Sequence, residues 1–171
     1  MEYVHSLTPS QEGIYAQYFQ SKETKTYQLQ NVTKIEREAD IEMLEKSVEM
    51  LSVRHAVLKS AFTVLKSTGA IKQVILENRK PEFTVLEQNM PYSKETLDAI
   101  VEKDLNTALD LQKDSLFRVT VVEFTDARFI VMHSHHIILD GWCLPVIISD
   151  LQRFYSELAN GKNVEELRAE I

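Results

Sequence analysis

Three histidines fall within four positions of one another, His133, His135 and His136, and a carboxylate, Asp140, follows them with Gly141 directly behind. If this stretch is a strand, its side chains alternate. His133 and His135 then share one face, and His136 points to the other with Met132 and Ser134. Ile137, Ile138 and Leu139 carry the chain to Asp140 and Gly141, where a glycine permits a sharp turn out of the strand. Three chemistries compete for such a group. The histidines can be structural, satisfied by hydrogen bonds. They can bind a metal through His133, His135 and Asp140, but no further ligands cluster nearby, so metal is not expected. Or a neutral imidazole can act on an attacking amine or hydroxyl in acyl transfer. That nucleophile comes from the substrate, and the chain accordingly shows no nucleophile elbow. Cys143 is the single cysteine, which excludes an intrachain disulfide and a cysteine zinc cluster. Nothing beside it obviously activates a thiolate, and it reads as a small packing residue.

The elements that must hold these residues can be read from periodicity. Thr8-Pro9-Ser10-Gln11 starts a helix, with Thr8 as cap, Pro9 at the first helical position and Gln11 closing a capping box. Ile14, Tyr15, Tyr18 and Phe19 give it an apolar face. Tyr27 to Ile35 reads as a strand. A helix follows Asp40 to about Ser52, with Ile41, Leu44, Val48 and Leu51 on one side. Leu58 to Leu65 and Ile71 to Leu76 read as a hairpin around Ser67-Thr68-Gly69. Ser93 caps a third helix with Leu97, Ile100, Val101, Leu105 and Ala108 as its buried stripe. Leu116 to Phe124 and Arg128 to about His136 form a second hairpin turning at Thr125-Asp126-Ala127. The run FIVM in its second strand is apolar on both faces, as in a central strand covered on each side. A last helix starts near Pro145, turns Ile148, Leu151, Tyr155 and Leu158 inward and stops at Asn160-Gly161. The charged tail from 162 to 171 is expected to fray or to begin an unfinished element. The fold class expected is α/β, a layered sandwich with a mixed β-sheet flanked by helices.

The bulk numbers fit one domain spanning 1–171. The chain has 171 residues, 44% hydrophobic and 26% charged, enough to bury a proper core. Nineteen basic against 26 acidic residues leave a net charge of −7, which argues against a nucleic-acid partner. The first residues lack the basic start and apolar core of a signal peptide, and no apolar run approaches the roughly 20 residues that cross a bilayer. A cytoplasmic protein with no membrane contact is expected, and a lone cysteine suits that compartment.

The stretch His135-His136-Ile137-Ile138-Leu139-Asp140-Gly141-Trp142 resembles the H-H-x-x-x-D-G motif of condensation domains from nonribosomal peptide synthetases. The wider superfamily is that of chloramphenicol acetyltransferase. Leu7-Thr8-Pro9-Ser10-Gln11-Glu12-Gly13 is similar to the family's opening L-T-P-x-Q-E-G. Arg54-His55-Ala56-Val57-Leu58-Lys59-Ser60-Ala61-Phe62 is similar to its second motif, R-H-E-x-L-R-T-x-F, with Ala56 for the glutamate and Lys59 for the second arginine. The three segments occur in the family's order, and the resemblance covers nearly the whole chain.

The resemblance implies a chloramphenicol acetyltransferase-like lobe, the amino-terminal one of two, with the second lobe absent from the chain. It implies amide formation between a donor acyl or peptidyl thioester and an acceptor aminoacyl thioester. His136 is then the catalytic histidine. His135, Asp140, Gly141, Arg54 and Lys59 are supporting, with Lys59 paired to Asp140 and Trp142 packed beside the turn. No cofactor is implied on the chain itself, because substrates ride on the phosphopantetheine of donor and acceptor carrier proteins. Other implied partners are the second lobe and an adenylation domain. Alternatives are a free-standing trimeric acetyltransferase, whose trimers form sites between protomers, an epimerisation domain, and a non-catalytic binding lobe.

Overall fold

The computed structural model describes residues 3–20 and 26–171. Seven strands and five α-helices follow in the order β1 (Tyr3–Ser6), α1 (Pro9–Gln20), β2 (Gln28–Ile35), α2 (Ile41–Arg54), β3 (Ser60–Val64), β4 (Ile71–Ile75), β5 (Glu82–Glu87), α3 (Lys94–Leu105), β6 (Phe117–Glu123), β7 (Arg128–His135), α4 (Leu144–Ala159) and α5 (Val164–Ala169). The strands divide between two sheets. One is antiparallel, ordered β1-β4-β3; the other is the expected mixed sheet, ordered β2-β7-β6-β5, with β5 parallel to β6 and the other pairs antiparallel.

β7 is the spine of the mixed sheet, and all eight of its residues are buried. Its alternation sorts the core. Ile130 and Met132 enter the main cluster with Val119 and Val121 of β6 and the inner faces of α2 and α4. Phe129 and Val131 enter a second cluster with Val122, Phe124 and Leu97 of α3. A strand with helices over both faces can be apolar throughout, which explains FIVM.

The capping residues act as their types dictate. The Thr8 amide donates to Gln11 Oε1 and the Gln11 amide to Thr8 Oγ1, while Asp40 and Ser93 accept from Met43 and Thr96 amides. The β3–β4 hairpin turns as expected, with Gly69 at φ 69°, a backbone that favours glycine.

Five expectations need correction. Leu58 and Lys59 lie in a 3-10 turn, Ala56–Lys59, that precedes β3. Ala108 lies beyond α3 and is exposed, and Phe19 on α1 is also exposed. The deepest face of α4 is Ile147, Leu151, Phe154 and Leu158, with Ile148 and Tyr155 at its margin. The tail does not fray: Asn163 and Glu166 close a capping box on α5, and Leu167 is buried in the main core. Two strands lie outside the sequence reading. β1 is short with every residue exposed, so it carries no apolar pattern, whereas the run EFTVLE of β5 does offer a β-branched signal. No helix among the described residues is long and apolar enough to cross a membrane.

Candidate active site

The first two histidines of the group are structural in different ways. His133 sits opposite Arg118 and Gln30 on neighbouring strands, and α3 delivers Asp104 to all three. His133 Nδ1 is 2.7 Å from Asp104 Oδ2, Gln30 Nε2 donates to the same oxygen at 2.7 Å, and Arg118 Nε lies 2.8 Å from Oδ1. Arg118 Nη2, which only donates, also lies 2.9 Å from His133 Nδ1, so that nitrogen donates to Asp104 or accepts from Arg118 according to its tautomer. Burial alone would raise the Asp104 carboxyl, but the bonds and charges of His133 and Arg118 outweigh it and hold it below the usual range. Among the described residues no three metal-binding side chains converge.

His135, the last residue of β7, is 3% exposed. Its Nδ1 accepts from the Ile137 amide at 3.1 Å, and Tyr18 and Tyr27 flank its ring. Burial, with smaller contributions from His136 and His133, pushes its pKa down to about 4. The folded protein therefore holds His135 neutral while an unfolded chain protonates it near 6.5. The unfolded state binds the extra proton, so stability is full above the unfolded value and falls as pH drops from about 6.5 toward 4. The loss should approach about 3 kcal/mol. Urea unfolding across that range checks it: His135→Gln should flatten the slope, and an unchanged slope would refute the assignment.

His136 leaves the strand. Its amide donates to the Tyr27 carbonyl at 2.7 Å, extending the β2–β7 pairing by one bond, and Tyr27 stands edge-on to its imidazole. The ring is half-buried, and its nitrogens bond to none of the described residues. Such a ring is held by its backbone while its lone pair stays available. Residues 136–138 then turn, and Asp140 closes a second turn on itself. Its Oδ1 accepts from the amides of Trp142 at 3.0 Å and Cys143 at 2.9 Å. The Cys143 thiol, those amides and nearby His136 hold the exposed Asp140 carboxyl below its usual range. Cys143 packs against the main core, as expected of it. A cleft of about 100 Å³ opens beside this turn, lined by Met132, Ser134, Leu139, Gly141 and Leu144 among others. A larger cleft of about 420 Å³, under Tyr15, Tyr18 and Phe62, lies on the α1 side, and Tyr18 of its wall packs against His135.

Three details of the site differ from the sequence reading. Lys59 does not pair with Asp140: it faces a cleft lined by Glu49, Glu77 and Lys80, while Asp140 spends its carboxylate on its own turn. The 3-10 turn redirects Lys59 before β3 begins. Trp142 is 90% exposed rather than packed. Gly141 is not required by the turn, since its φ is not positive and an added Cβ would meet nothing within 4 Å.

Other contacts give the motif-like segments physical roles. Gln11 Nε2 donates to the Ile137 carbonyl at 3.1 Å, tying the start of α1 to the histidine turn. Arg54 and His55 both reach Asp150 of α4, at 2.8 and 2.7 Å. The sequence reading misses Asp150. Its signal is a carboxylate on the inner stripe of an amphipathic helix, a position that demands a cationic partner.

Comparison with known proteins bears on the family and the fold. The chain is 30% identical over 165 residues to tyrocidine synthase 3 of Brevibacillus parabrevis, covering 94% of this chain and 2% of that protein. It is 26% identical over 167 residues to bacitracin synthase 1 of Bacillus licheniformis, covering 95% and 3%. The starter condensation domain of the rhizomide synthetase superposes with a TM-score of 0.83 at 19% identity, covering 94% of this chain and 39% of that one. The epimerization domain from the third module of tyrocidine synthetase B gives 0.82 at 17%, covering 96% and 37%. At those identities the superpositions establish the fold, and the chain spans only a small part of each synthetase. The Condensation domain family model matches residues 1–170, and the chain belongs to that family.

Proposed function

We propose that this chain is the histidine-bearing lobe of a condensation site in a nonribosomal peptide synthetase, and that the site forms amide bonds between carrier-bound substrates. The observation that carries the reading is His136: a backbone-anchored imidazole whose nitrogens bond to none of the described residues, beside a turn that Asp140 closes with its own carboxylate. The acceptor amine attacks the donor thioester carbonyl, the new C–N bond forms and the C–S bond breaks. His136 takes the amine proton or holds the amine in line, and the departing phosphopantetheine sulfur is protonated. Substrates arrive on carrier proteins, loaded by an adenylation domain in the cytoplasm, so the chain itself needs no cofactor.

Two features support a second wall supplied from outside the chain. Trp142 at 90% exposure and Val146 at 52% flank the turn, and burying a tryptophan removes roughly 150–250 Å² from water. The open space above Gly141 leaves the backbone approachable by a substrate arm.

Holding two substrates in line needs both walls. The test is to mix the chain with loaded donor and acceptor carriers, alone and with the second lobe added as a separate polypeptide. Amide formation is expected only in the second mixture. Turnover at the same rate by the chain alone would refute the half-site reading and point to a self-sufficient acyltransferase.

A further inference from the structure

Resting on His136 as the reacting group, we propose that Arg54, His55 and Asp150 form a clamp that sets the position of α4 and, through it, of the turn beside His136. They act as positioning residues. Asp150 lies about two helical turns from the start of α4. Both donors converge on one atom, Oδ2, with Arg54 Nε at 2.8 Å and His55 Nε2 at 2.7 Å. Arg153 Nε stands 3.6 Å from the other oxygen. The residue is 8% exposed, so the pair is only partly screened by water. Burial alone would raise its carboxyl, yet the bonds from His55 and Arg54 prevail and hold it below the usual range.

The donors themselves are anchored. The His55 amide caps α2 on the Leu51 carbonyl, and its own carbonyl accepts from Leu58 to open the 3-10 turn. The platform is thus fixed by backbone on both sides. From Asp150 toward the site the linkage is also backbone. The Ile147 amide bonds the Cys143 carbonyl, and the Cys143 amide bonds Asp140 through both its carbonyl and its side chain. Hydrophobic packing between α2 and α4 is non-directional and tolerates axial sliding. A carboxylate gripped by two fixed donors does not. The Tyr155 hydroxyl, which accepts the Asp40 amide at 2.8 Å, provides a second fastening farther along α4.

The experiment reads the turn directly, by amide hydrogen exchange in the chain, with turnover measured in the reconstituted domain. In Asp150→Asn and His55→Ala, the Cys143 and Ile147 amides should exchange about tenfold faster or more, while β6 and β7 amides keep their protection. Leu97→Ala, in the opposite core cluster, is the control for general destabilisation and should leave that ratio unchanged. His55→Gln, whose amide can still donate to Oδ2, should restore protection. Turnover should show a fall in kcat with KM for the carriers little changed. If Asp150→Asn fails to fold, His55→Ala decides, because Arg54 still holds the carboxylate there. Unchanged Cys143 and Ile147 exchange in the folded variant would overturn the clamp. The exchange readout needs no catalysis. Released amides together with full turnover in His136→Ala would therefore keep the mechanical linkage and remove the reading of the site.

Discussion

Amide formation by the reconstituted domain should fall by about 10²–10⁴-fold when His136 is replaced by alanine. The chain should stay folded, since the imidazole is half-buried and bonds to none of the described residues, and its backbone bond to Tyr27 survives the substitution. Little stability is then at stake, and lost activity can be assigned to lost chemistry. His135→Ala offers the contrast. That ring is buried, accepts from the Ile137 amide and packs against Tyr18, so its removal should cost stability and distort the turn. Measuring turnover with saturating loaded carriers, alongside urea unfolding of each variant, separates the two. A His136→Ala domain within threefold or so of the parent rate would remove the imidazole from the mechanism and leave the preorganised turn to explain catalysis.

The largest loss of stability expected from a single polar substitution is at Asp104. Alanine there leaves Arg118 and His133 facing each other with no anion between them, and their side chains are only 10% and 0% exposed. Removing one partner of a buried pair typically costs about 3–5 kcal/mol, because the remaining charge cannot be hydrated. The carboxyl is held below its ordinary value, so its contribution is present above the unfolded carboxylate range and disappears as pH falls through the lower folded value. Urea denaturation of Asp104→Ala at neutral pH measures the loss, and the deficit should shrink in acid, where the parent also loses the interaction. A loss below about 1 kcal/mol would mean that water reaches Arg118 once the carboxylate is gone. The double variant Asp104→Ala, Arg118→Met should recover part of the difference.

Much of this is legible in the sequence because the signals are local. The caps Thr8 and Ser93, the alternation in β7 and the spacing of His136 and Asp140 are fixed by neighbours along the chain. What escapes is decided between distant segments. The family resemblance matches Lys59 to Asp140, but the 3-10 turn sends it into another cleft, and no local pattern announces that turn. Tryptophans usually pack, yet the turn after Asp140 carries Trp142 outward. Asp150 can be found by asking why a carboxylate sits among Ile147, Leu151 and Phe154, although naming Arg54 and His55 as its partners needs coordinates. The split into two sheets is equally hidden, since strand partners are chosen by closure of long loops and not by composition.

The pairing of β2 with β7 joins Gln28 to His135, segments about a hundred residues apart, and so sets when the chain becomes competent during its own synthesis. Until β7 has left the ribosome, both β2 and β6 present open edges, and the sheet has no spine. His136 follows β7 directly, so its imidazole is placed in the same event that closes the sheet. A nascent chain stalled before that point offers two unpaired strand edges to its neighbours at synthesis rates of ~5–20 residues per second. One that has passed it holds both its sheet and its histidine.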